Sequence, residues 1–518
     1  MMKKAMTLLI MAVMLMTAAA VCAESQETEK FFNEKGYVYT IREDGTAEIA
    51  GYTGKDKKLI IPSELKGLKV TSIASHAFNG SQITKASVPE GVKAVGNNVF
   101  EWCPSLTKVV FPEGLEVLGY DVFWSCYSLK AVNLPSTLVS VGDGIFAGCQ
   151  ELDSVSIAPD HPYLKLEDGV LFTKAEPRLL WYPAAAGERN YRIPEGTLSI
   201  GDYAFSYARI TNVEIPESVS SVGSYVFSEC TQLRSVNIPS QVTVLDSAFS
   251  GCNSLTDILV SPENPVFESR DGVLFNRPER KLVLYPEGKN NDIYEIPQGT
   301  LAIEGEAFNN AVFSQVVIPG SVRVIGSNAF FNCENLETIT IPEGVEELGE
   351  FALQACKKLT DIHLPNSLVK VGWNPFLTCE NLENVTVDPT HPALAVMDGA
   401  LVSTADMRLI WYPLKGKAKK YTVPAGIKVI EVLAFDSCIR LTEVVLPKGI
   451  EEIRQCAFQG CTKLKRVVLP ASLTMIDKNA FQISPADGKM IKATYEVVKG
   501  SYAENYCKSF KAKIKNVK

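Results

Sequence analysis

The sequence predicts a mainly-β solenoid, in which short repeats coil and stack along one axis. A large apolar side chain, nearly always Phe, returns every 22 or 23 residues, and three times after 59. A small residue, most often Cys, follows it by three positions, and an alternating run that ends at Pro comes next. A fixed period of this length is typical of stacked coils that bury their apolar sides against one another.

A single coil shows how the pattern predicts its own elements. Buried and outward positions alternate in 106–112, which predicts a strand that Pro112 ends because it has no N–H to donate. Residues 113–114 then form a turn, 115–119 a second short strand, and Phe123 returns to the core. Because a coil of about 23 residues is too short for a long helix, we expect a right-handed coil with a long parallel sheet, short second-side strands and little helix.

Three long units interrupt the short period, and we expect a β-hairpin insertion in each. They lie near 150–204, 253–307 and 380–434. Each carries an Asp-Gly pair between two apolar runs: Asp168–Gly169, Asp271–Gly272 and Asp398–Gly399. Turn chemistry explains these pairs better than calcium binding does. We expect the apolar side chains that follow to fill core space: Trp181, Leu284 and Trp411.

The ends of the chain differ from the repeats, which divides the sequence into four parts. Residues 1–23 combine two lysines, an apolar run and a small-residue site, which predicts a cleaved signal peptide. Residues 24–70 predict an N-terminal β cap, and 71–484 the solenoid itself. Residues 485–518 predict a strand-helix-strand cap, with Ser501 as the helix N-cap.

The cysteines follow the repeat rather than a disulfide framework. Ten of the 13 occupy the same slot: Cys103, Cys126, Cys149, Cys230, Cys252, Cys333, Cys356, Cys379, Cys438 and Cys461. The remaining coils have other small residues there: Ser81, Ala208, Ala311 and Ser484. A slot that accepts any compact side chain predicts stacked, buried free thiols, although an exported chain would ordinarily suggest disulfides.

Composition and motifs argue against several classes of function. The net charge of −8 disfavours nucleic-acid binding, which needs clustered Lys and Arg. The sequence has no Cys-x-x-Cys, phosphate loop or known catalytic signature, so we expect no catalytic residue, cofactor or metal. His161 and His391 share one position in the long units, where the middle unit has Asn264, and we interpret all three as polar turn residues.

The outward positions of the Pro-terminated strands are the best candidates for binding. They include Lys108, Val110, Asn133, Asn212, Glu214, Asn237, Thr338, Thr340, Asp361, His363, Asn384 and Thr386. This stripe is rich in Ser, Thr, Asn and Val and has no aromatic anchor, which favours weak, multivalent or glycan-tolerant contacts over one tight pocket. The alternative is that these residues simply suit a long sheet.

Several runs resemble one known family. They are Ala-Phe-Phe-Asn-Cys at 329–333, Ala-Phe-Gln-Gly-Cys at 457–461, Asp-Gly-Val-Leu-Phe at 168–172, Trp-Tyr-Pro at 181–183 and Gly-Ser-Tyr-Ala-Glu-Asn-Tyr at 500–506. Together they resemble the BspA-like, treponemal-type leucine-rich-repeat surface proteins. The resemblance covers nearly all of the chain that follows the signal peptide.

The resemblance implies a cell-surface or secreted protein that takes part in adhesion. We therefore expect an exported, non-enzymatic binding protein whose partner is a protein or glycan on a host or neighbouring cell. Two alternatives remain open. The chain could be a structural or envelope scaffold without an external ligand, or an enzyme of unknown class.

Overall fold

The computed structural model describes residues 31–184, 186, 189–416, 418–484 and 488–517. The predicted signal peptide at 1–23 lies outside the described residues. The described chain forms a mainly-β solenoid with one short helix, which confirms the predicted fold class. It divides into two compact units, which are Met1–Ala186 with Gly201–Tyr207 and Gly187–Ile200 with Ala208–Lys518.

A typical coil contributes two short strands, one to each of two ladders. The front ladder collects the strands that end just before the repeat Pro, and the back ladder collects two-residue strands on the second side. Pairing is parallel in both, as between Lys85–Ser87 and Lys108–Val110 in front and between Ala94–Val95 and Val117–Leu118 behind. Both strands that the repeat predicts are therefore present.

In the first unit, an antiparallel sheet precedes the ladders, and its last strand joins the back ladder. This sheet comprises β1 (Phe32–Glu34), β2 (Tyr37–Ile41) and β3 (Ala47–Tyr52). The front ladder comprises β4 (Lys58–Ile60), β7 (Lys85–Ser87), β9 (Lys108–Val110), β11 (Ala131–Asn133) and β13 (Ser154–Ser156). The back ladder continues as β6 (Leu68–Ile73, with β5 at Glu64–Leu65 paired to it), β8 (Ala94–Val95), β10 (Val117–Leu118) and β12 (Ser140–Val141). The unit also holds the first hairpin insertion, with β14 (Leu164–Glu167), β15 (Val170–Thr173) and β16 (Arg178–Trp181).

In the second unit, the front ladder is longer. It comprises β17 (Asn190–Arg192), β19 (Asn212–Glu214), β21 (Ser235–Ile238), β22 (Asp257–Val260), β26 (Ile293–Glu295), β28 (Gln315–Val317), β30 (Thr338–Thr340), β32 (Asp361–Leu364), β34 (Asn384–Val387), β38 (Lys420–Thr422), β40 (Glu443–Val445), β42 (Arg466–Leu469), β44 (Thr494–Val498) and β45 (Lys513–Val517). The one helix of the described residues, α1 (Tyr502–Ser509), lies between the last two strands in sequence.

The back of the second unit combines two-residue strands with two further hairpin insertions. The strands are β18 (Ser199–Ile200), β20 (Ser221–Val222), β27 (Ala302–Ile303), β29 (Val324–Ile325), β31 (Glu347–Leu348), β33 (Lys370–Val371), β39 (Val429–Ile430), β41 (Glu452–Ile453) and β43 (Met475–Ile476). The insertions are β23 (Phe267–Arg270), β24 (Val273–Asn276) and β25 (Lys281–Leu284), and then β35 (Leu394–Met397), β36 (Ala400–Ser403) and β37 (Arg408–Trp411).

The front ladder of the second unit is divided, and two of its three breaks, after β22 and after β34, lie at hairpin insertions. It consists of four parallel sheets, β17–β19–β21–β22, β26–β28–β30, β32–β34 and β38–β40–β42–β44–β45, rather than one continuous sheet. After β22, the backbone N–H of Ile258 donates to the carbonyl oxygen of Gly272 at a hairpin tip, 3.1 Å away. The hairpin tip therefore occupies the hydrogen-bonding edge of β22 that would otherwise pair with the next front strand.

Equivalent side chains of neighbouring coils stack over one another in the core. The rings of Phe435 and Phe458 are 4.8 Å apart and within 11° of parallel, and Phe458 stacks on Phe481 in the same way. On the second side, the coils approach so closely that a Cβ on Gly119 would lie 2.6 Å from the carbonyl carbon of Gly96. The repeated Gly is therefore required by the contact between coils.

The thiol slot behaves as predicted. All twelve cysteines of the described residues are free and buried. Sγ of Cys126 donates to the carbonyl oxygen of Phe100 at 3.0 Å, and Sγ of Cys356 to that of Phe330 at 3.3 Å. Each such thiol therefore satisfies a buried carbonyl of the preceding coil, a task that a small polar side chain can perform.

The long units confirm the turn prediction and two of the three core predictions. Asp168 and Gly169 have φ of 50° and 80°, as a two-residue hairpin turn between β14 and β15 requires. The equivalent pairs in the other two hairpins have the same sign of φ. Trp181 is 5% exposed and Trp411 1%, so both fill core space, whereas Leu284 is only partly buried and the prediction for it is wrong, because Tyr285 is the fully buried side chain there.

Polar contacts fix the C-terminal elements in place. Helix α1 begins after Ser501, whose Oγ accepts a hydrogen bond from the backbone N–H of Glu504 at 3.2 Å. The strand before the helix, β44, lies between β42 and β45 and pairs in parallel with both. The front ladder therefore continues through the strands that flank the helix.

Candidate binding surface

The outward stripe consists of the side chains at the first and third positions of each front strand. In most of these strands the burial pattern alternates, with the middle residue buried and both neighbours exposed, as in Thr338–Thr340. The sequence-predicted candidates therefore lie on this face, at the positions expected for them.

Four candidates in the second unit form two adjacent hydrogen-bonded pairs, which we call the polar quartet: Asp361, His363, Asn384 and Thr386. Asp361 is in register with Asn384, and His363 with Thr386, on the paired strands β32 and β34. Nδ2 of Asn384 donates to Oδ1 of Asp361 at 2.5 Å, and Nδ1 of His363 lies 3.1 Å from Oγ1 of Thr386. All four side chains are exposed, so the group presents donors and acceptors in a fixed order.

The charge of Asp361 is held in place by its neighbours. Oγ1 of Thr360 donates to its Oδ2 at 2.6 Å. Together with Asn384, this hydrogen bond lowers the pKa of Asp361 below its usual value. The polar quartet therefore carries a carboxylate at every pH near neutrality.

Thr338 and Thr340 are exposed on β30, at the edge of the neighbouring sheet. They extend the uncharged, hydroxyl-bearing surface beside the polar quartet. Each is in register with a residue of the preceding strand, Thr338 with Gln315 and Thr340 with Val317. This part of the stripe combines small polar groups with exposed β-branched side chains.

Two other predicted residues are already engaged within the fold. Glu214 forms an ion pair with Arg192 on the neighbouring strand, which lowers the pKa of Glu214. The side-chain amide of Asn237 bonds both to the backbone N–H and to the carbonyl of Ile215, each at 2.7 Å. Asn212 is similarly bonded, with its Nδ2 2.6 Å from Oδ1 of Asn190, but remains exposed.

In the first unit, Lys108, Val110 and Asn133 are exposed at their predicted outward positions. Oγ of Ser156 donates to Oδ1 of Asn133 at 2.9 Å, which links the last two strands of this ladder. Lys108 is in register with Lys85, which holds the same outward position on the preceding strand.

An aromatic group that the sequence reasoning missed lies at a corner of the coils, away from the outward stripe. The rings of Trp102 and Trp124 meet edge to face at 5.6 Å, and Tyr127 contacts Trp102 at 6.2 Å. All three are partly buried. The signal was present in the sequence, because both tryptophans closely follow a repeat Phe on neighbouring coils.

His161 has a structural role in the turn where the sequence places it. It is fully buried, and its Nδ1 accepts hydrogen bonds from the backbone N–H groups of Tyr163 and Leu164 at 3.2 and 3.0 Å. Its Nε2 lies 3.1 Å from the carbonyl oxygen of Pro135 and donates to it. His391 makes the equivalent contacts, so neither ring is available to a ligand.

The described residues contain no arrangement typical of a metal centre. No three His, Cys, Asp or Glu side chains among them are grouped as metal binding requires. A depression of about 650 Å³ is lined by Arg42, Asp44 and Glu48 among others. Arg42 and Glu48 form an ion pair at 3.0 Å, so these charges already neutralise each other. No helix of the described chain has the length and apolarity needed to cross a bilayer.

Comparison with known proteins identifies the family. The model of the BspA-type leucine-rich repeat region matches six copies, at residues 58–166, 188–271, 289–395 and 414–514. The chain therefore belongs to the BspA-type leucine-rich-repeat proteins, as the resemblance of its motifs predicted. Members of this family are typically cell-surface proteins that serve as binding scaffolds rather than as enzymes. No curated protein matches the chain.

Several solved structures are similar to this chain. A leucine-rich cell surface protein from Faecalibacterium prausnitzii is 20% identical, with 95% of this chain and 100% of that chain covered and a TM-score of 0.35. A leucine-rich-repeat protein from Bacteroides ovatus is 22% identical, with 94% and 100% covered and a TM-score of 0.31. The pneumococcal vaccine antigen PcpA is 16% identical, with 95% and 99% covered and a TM-score of 0.35.

Proposed function

We propose that this chain is an exported, non-enzymatic binding or adhesion protein. Its partner is a protein or glycan on the surface of a host or neighbouring cell, which it engages with the outward stripe. Export would depend on the signal peptide that the sequence predicts at 1–23. The family favours a binding scaffold over an enzyme, and the stripe offers a long exposed surface with repeated polar groups.

The polar quartet is the single observation that carries this proposal. Its side chains are exposed but already ordered by hydrogen bonds to one another, so binding would cost little additional conformational entropy. Amide, hydroxyl, imidazole and carboxylate groups in a row suit the hydroxyls of a glycan or the backbone of a protein loop. A purely architectural sheet would gain little from fixing polar groups on its solvent side.

The test is binding to immobilised extracellular-matrix proteins and to a glycan array. We compare the native chain with the double variant N384A/T386A, which removes half of the polar quartet. Because truncating a contacting residue at an interface centre typically costs about 1 kcal/mol or more, we expect affinity to fall by about fivefold or more. Binding of the native chain to the matrix proteins would identify the partner as a protein, and binding to the glycan array would identify it as a glycan.

A matched control separates the stripe from the rest of the surface. The variant S220A/T474A also removes two exposed hydroxyl-bearing side chains, but beside the back ladder of the same unit. We expect it to bind like the native chain. Equal losses in both variants would contradict a role for the stripe, and a native chain that binds nothing on either array would favour a scaffold without an external ligand.

A further inference from the structure

Three lysines stand in one row on the front ladder of the first unit. Lys58 is in register with Lys85, and Lys85 with Lys108, at the same outward position of successive strands. Neighbouring strands are about 4.8 Å apart, so each positive charge directly faces the next. All three side chains are exposed, and no outward position of this five-stranded ladder holds a carboxylate.

Like charges in register destabilise a sheet, so the row is not explained by folding. In the second unit, by contrast, charged side chains on neighbouring front strands have opposite signs. There Lys420, Glu443, Arg466, Glu496 and Lys515 alternate in sign along the front ladder, and each pairs with the next at 3.2, 2.5, 2.6 and 2.7 Å. None of the three lysines has an ion-pair partner among the described residues.

Two further lysines extend the basic surface. Lys57 directly precedes Lys58, and Lys130 directly precedes Ala131, which is in register with Lys108. Both are exposed. Apolar side chains also border the row. Ile60, on the same strand as Lys58, is 79% exposed, and Val110, on the same strand as Lys108, is 46% exposed. The result is a local basic strip on a chain whose net charge is −8.

We propose that Lys58, Lys85 and Lys108 bind a linear sulfated polysaccharide that runs across the front strands. The spacing of the charges favours this occupant. One pyranose of an extended polysaccharide is close in length to one step between strands, so a sulfate on successive sugars meets successive ammonium groups. An extended acidic peptide presents carboxylates on one face only about every 6.8 Å, which does not match the row. The exposed apolar side chains provide contact for sugar rings.

This inference deepens the proposed function, on which it rests, by naming a partner class for the first unit. Binding is measured for the whole chain with dextran sulfate as the probe and unsulfated dextran as the reference. We expect binding to dextran sulfate only, with an affinity that falls steeply as salt rises because bound cations are released from the polymer.

The variant K58Q/K85Q/K108Q removes the row. At about 50 mM salt we expect it to lose about tenfold or more in affinity and to show a weaker dependence on salt. The matched control K370Q/K420Q/K428Q removes three exposed lysines that have ion-pair partners in the second unit. We expect the control to bind like the native chain. If both triple variants lose the same affinity for dextran sulfate, net charge rather than the lysine row explains binding. If the native chain binds poly-glutamate as tightly as dextran sulfate, a sulfated polysaccharide is not the preferred partner.

A second variant separates binding from folding. Lys85→Glu places a carboxylate between Lys58 and Lys108 and so creates the alternation that the second unit has. We expect the midpoint of thermal unfolding to rise while affinity for dextran sulfate falls. Unchanged affinity in a folded K85E chain would overturn the proposal.

The two proposals fail in distinguishable ways. If N384A/T386A weakens binding to a glycan or matrix protein but the native chain ignores dextran sulfate, only the inference about the lysine row is wrong. If dextran sulfate binds through the lysines while both arrays fail, the role of the polar quartet is wrong. Binding of neither kind would contradict both.

Discussion

One buried side chain in each long unit organises a turn, and two residue types perform this task. His161 accepts two backbone N–H groups with Nδ1 and donates with Nε2. Asn264 does the same with an amide, because its Oδ1 accepts from Val266 and Phe267 at 2.9 and 2.7 Å and its Nδ2 donates to Pro239 at 2.8 Å. The position therefore selects an acceptor and a donor at fixed separation rather than an imidazole.

This equivalence predicts how substitutions at His161 affect stability. His161→Asn should keep both functions and change the free energy of unfolding by less than about 1 kcal/mol, whereas His161→Ala leaves buried backbone groups unpaired and should cost about 2–4 kcal/mol. Chemical denaturation of the two variants measures the difference. An alanine variant as stable as the native chain would contradict the assigned role.

The same residue should make stability depend on pH. Burial lowers the pKa of His161 below its usual value of 6.5, so the folded state favours the neutral ring. The resulting stabilisation is present above about pH 6.5 and is lost as the pH falls, because protonation favours the unfolded chain. His161→Asn should remove this part of the dependence between pH 7 and 5.

At the residue scale, comparing equivalent positions of successive coils predicted where side chains lie better than it predicted which groups they contact. It placed His161 and Asn264 in one slot and put the stripe residues on the outward face. It did not predict that His161 is fully buried, or that Asn237 is bonded to the backbone of Ile215. Such contacts depend on which coils become neighbours and on side-chain rotamers, and neither is encoded in local periodicity.

Single elements are well predicted where one coil contacts the next in a uniform way. Alternation ending at Pro predicted the front strands, and the short run that ends at the repeated Gly predicted the strands of the back ladder. The break in the front ladder after β22 was not predicted, because it depends on the position of the hairpin tip at Gly272. That position follows from the three-dimensional path of the insertion.

Element β44 is held by a buried carboxylate, which predicts acid sensitivity of the C-terminal sheet. Glu496 is 6% exposed, and hydrogen bonds from Arg466 and then Lys515 lower its pKa to about 2. A lowered folded-state pKa stabilises the chain fully above about pH 4.5, and this contribution disappears as the pH falls toward 2. Glu496→Gln should therefore lower stability at pH 6 by about 1 kcal/mol or more and have no effect near pH 2.

Thermal unfolding from pH 6 to 2 measures this effect. The exposed carboxylate Glu90 provides the control, since Glu90→Gln should leave the profile unchanged. A constant difference between the native chain and E496Q over the whole range would show that the ion pairs with Arg466 and Lys515 do not stabilise the sheet.

Across the whole molecule, the net charge does not reveal how charged side chains are distributed along the front strands. A value of −8 disfavours nucleic-acid binding, yet the chain carries an unpaired lysine row in one unit and an alternating charge network in the other. The lysine row, like the Lys420–Glu443–Arg466 part of the network, arises because the repeat places equivalent residues in register. The sequence contains this information, but it emerges only when coils are aligned position by position.

The whole set of cysteines yields the last prediction. Burial raises the thiol pKa at Cys149, Cys356 and most other sites, so little thiolate forms at pH 8 and reagents have no access. With the native fold intact, we expect alkylation followed by peptide mapping to leave the ten cysteines of the repeat slot unmodified, and Cys456, which lies outside that slot and is 9% exposed, to react first. After denaturation without a reductant, all twelve should react. A ladder thiol that reacts in the native chain, or one that stays blocked after unfolding, would contradict the reduced and buried stack.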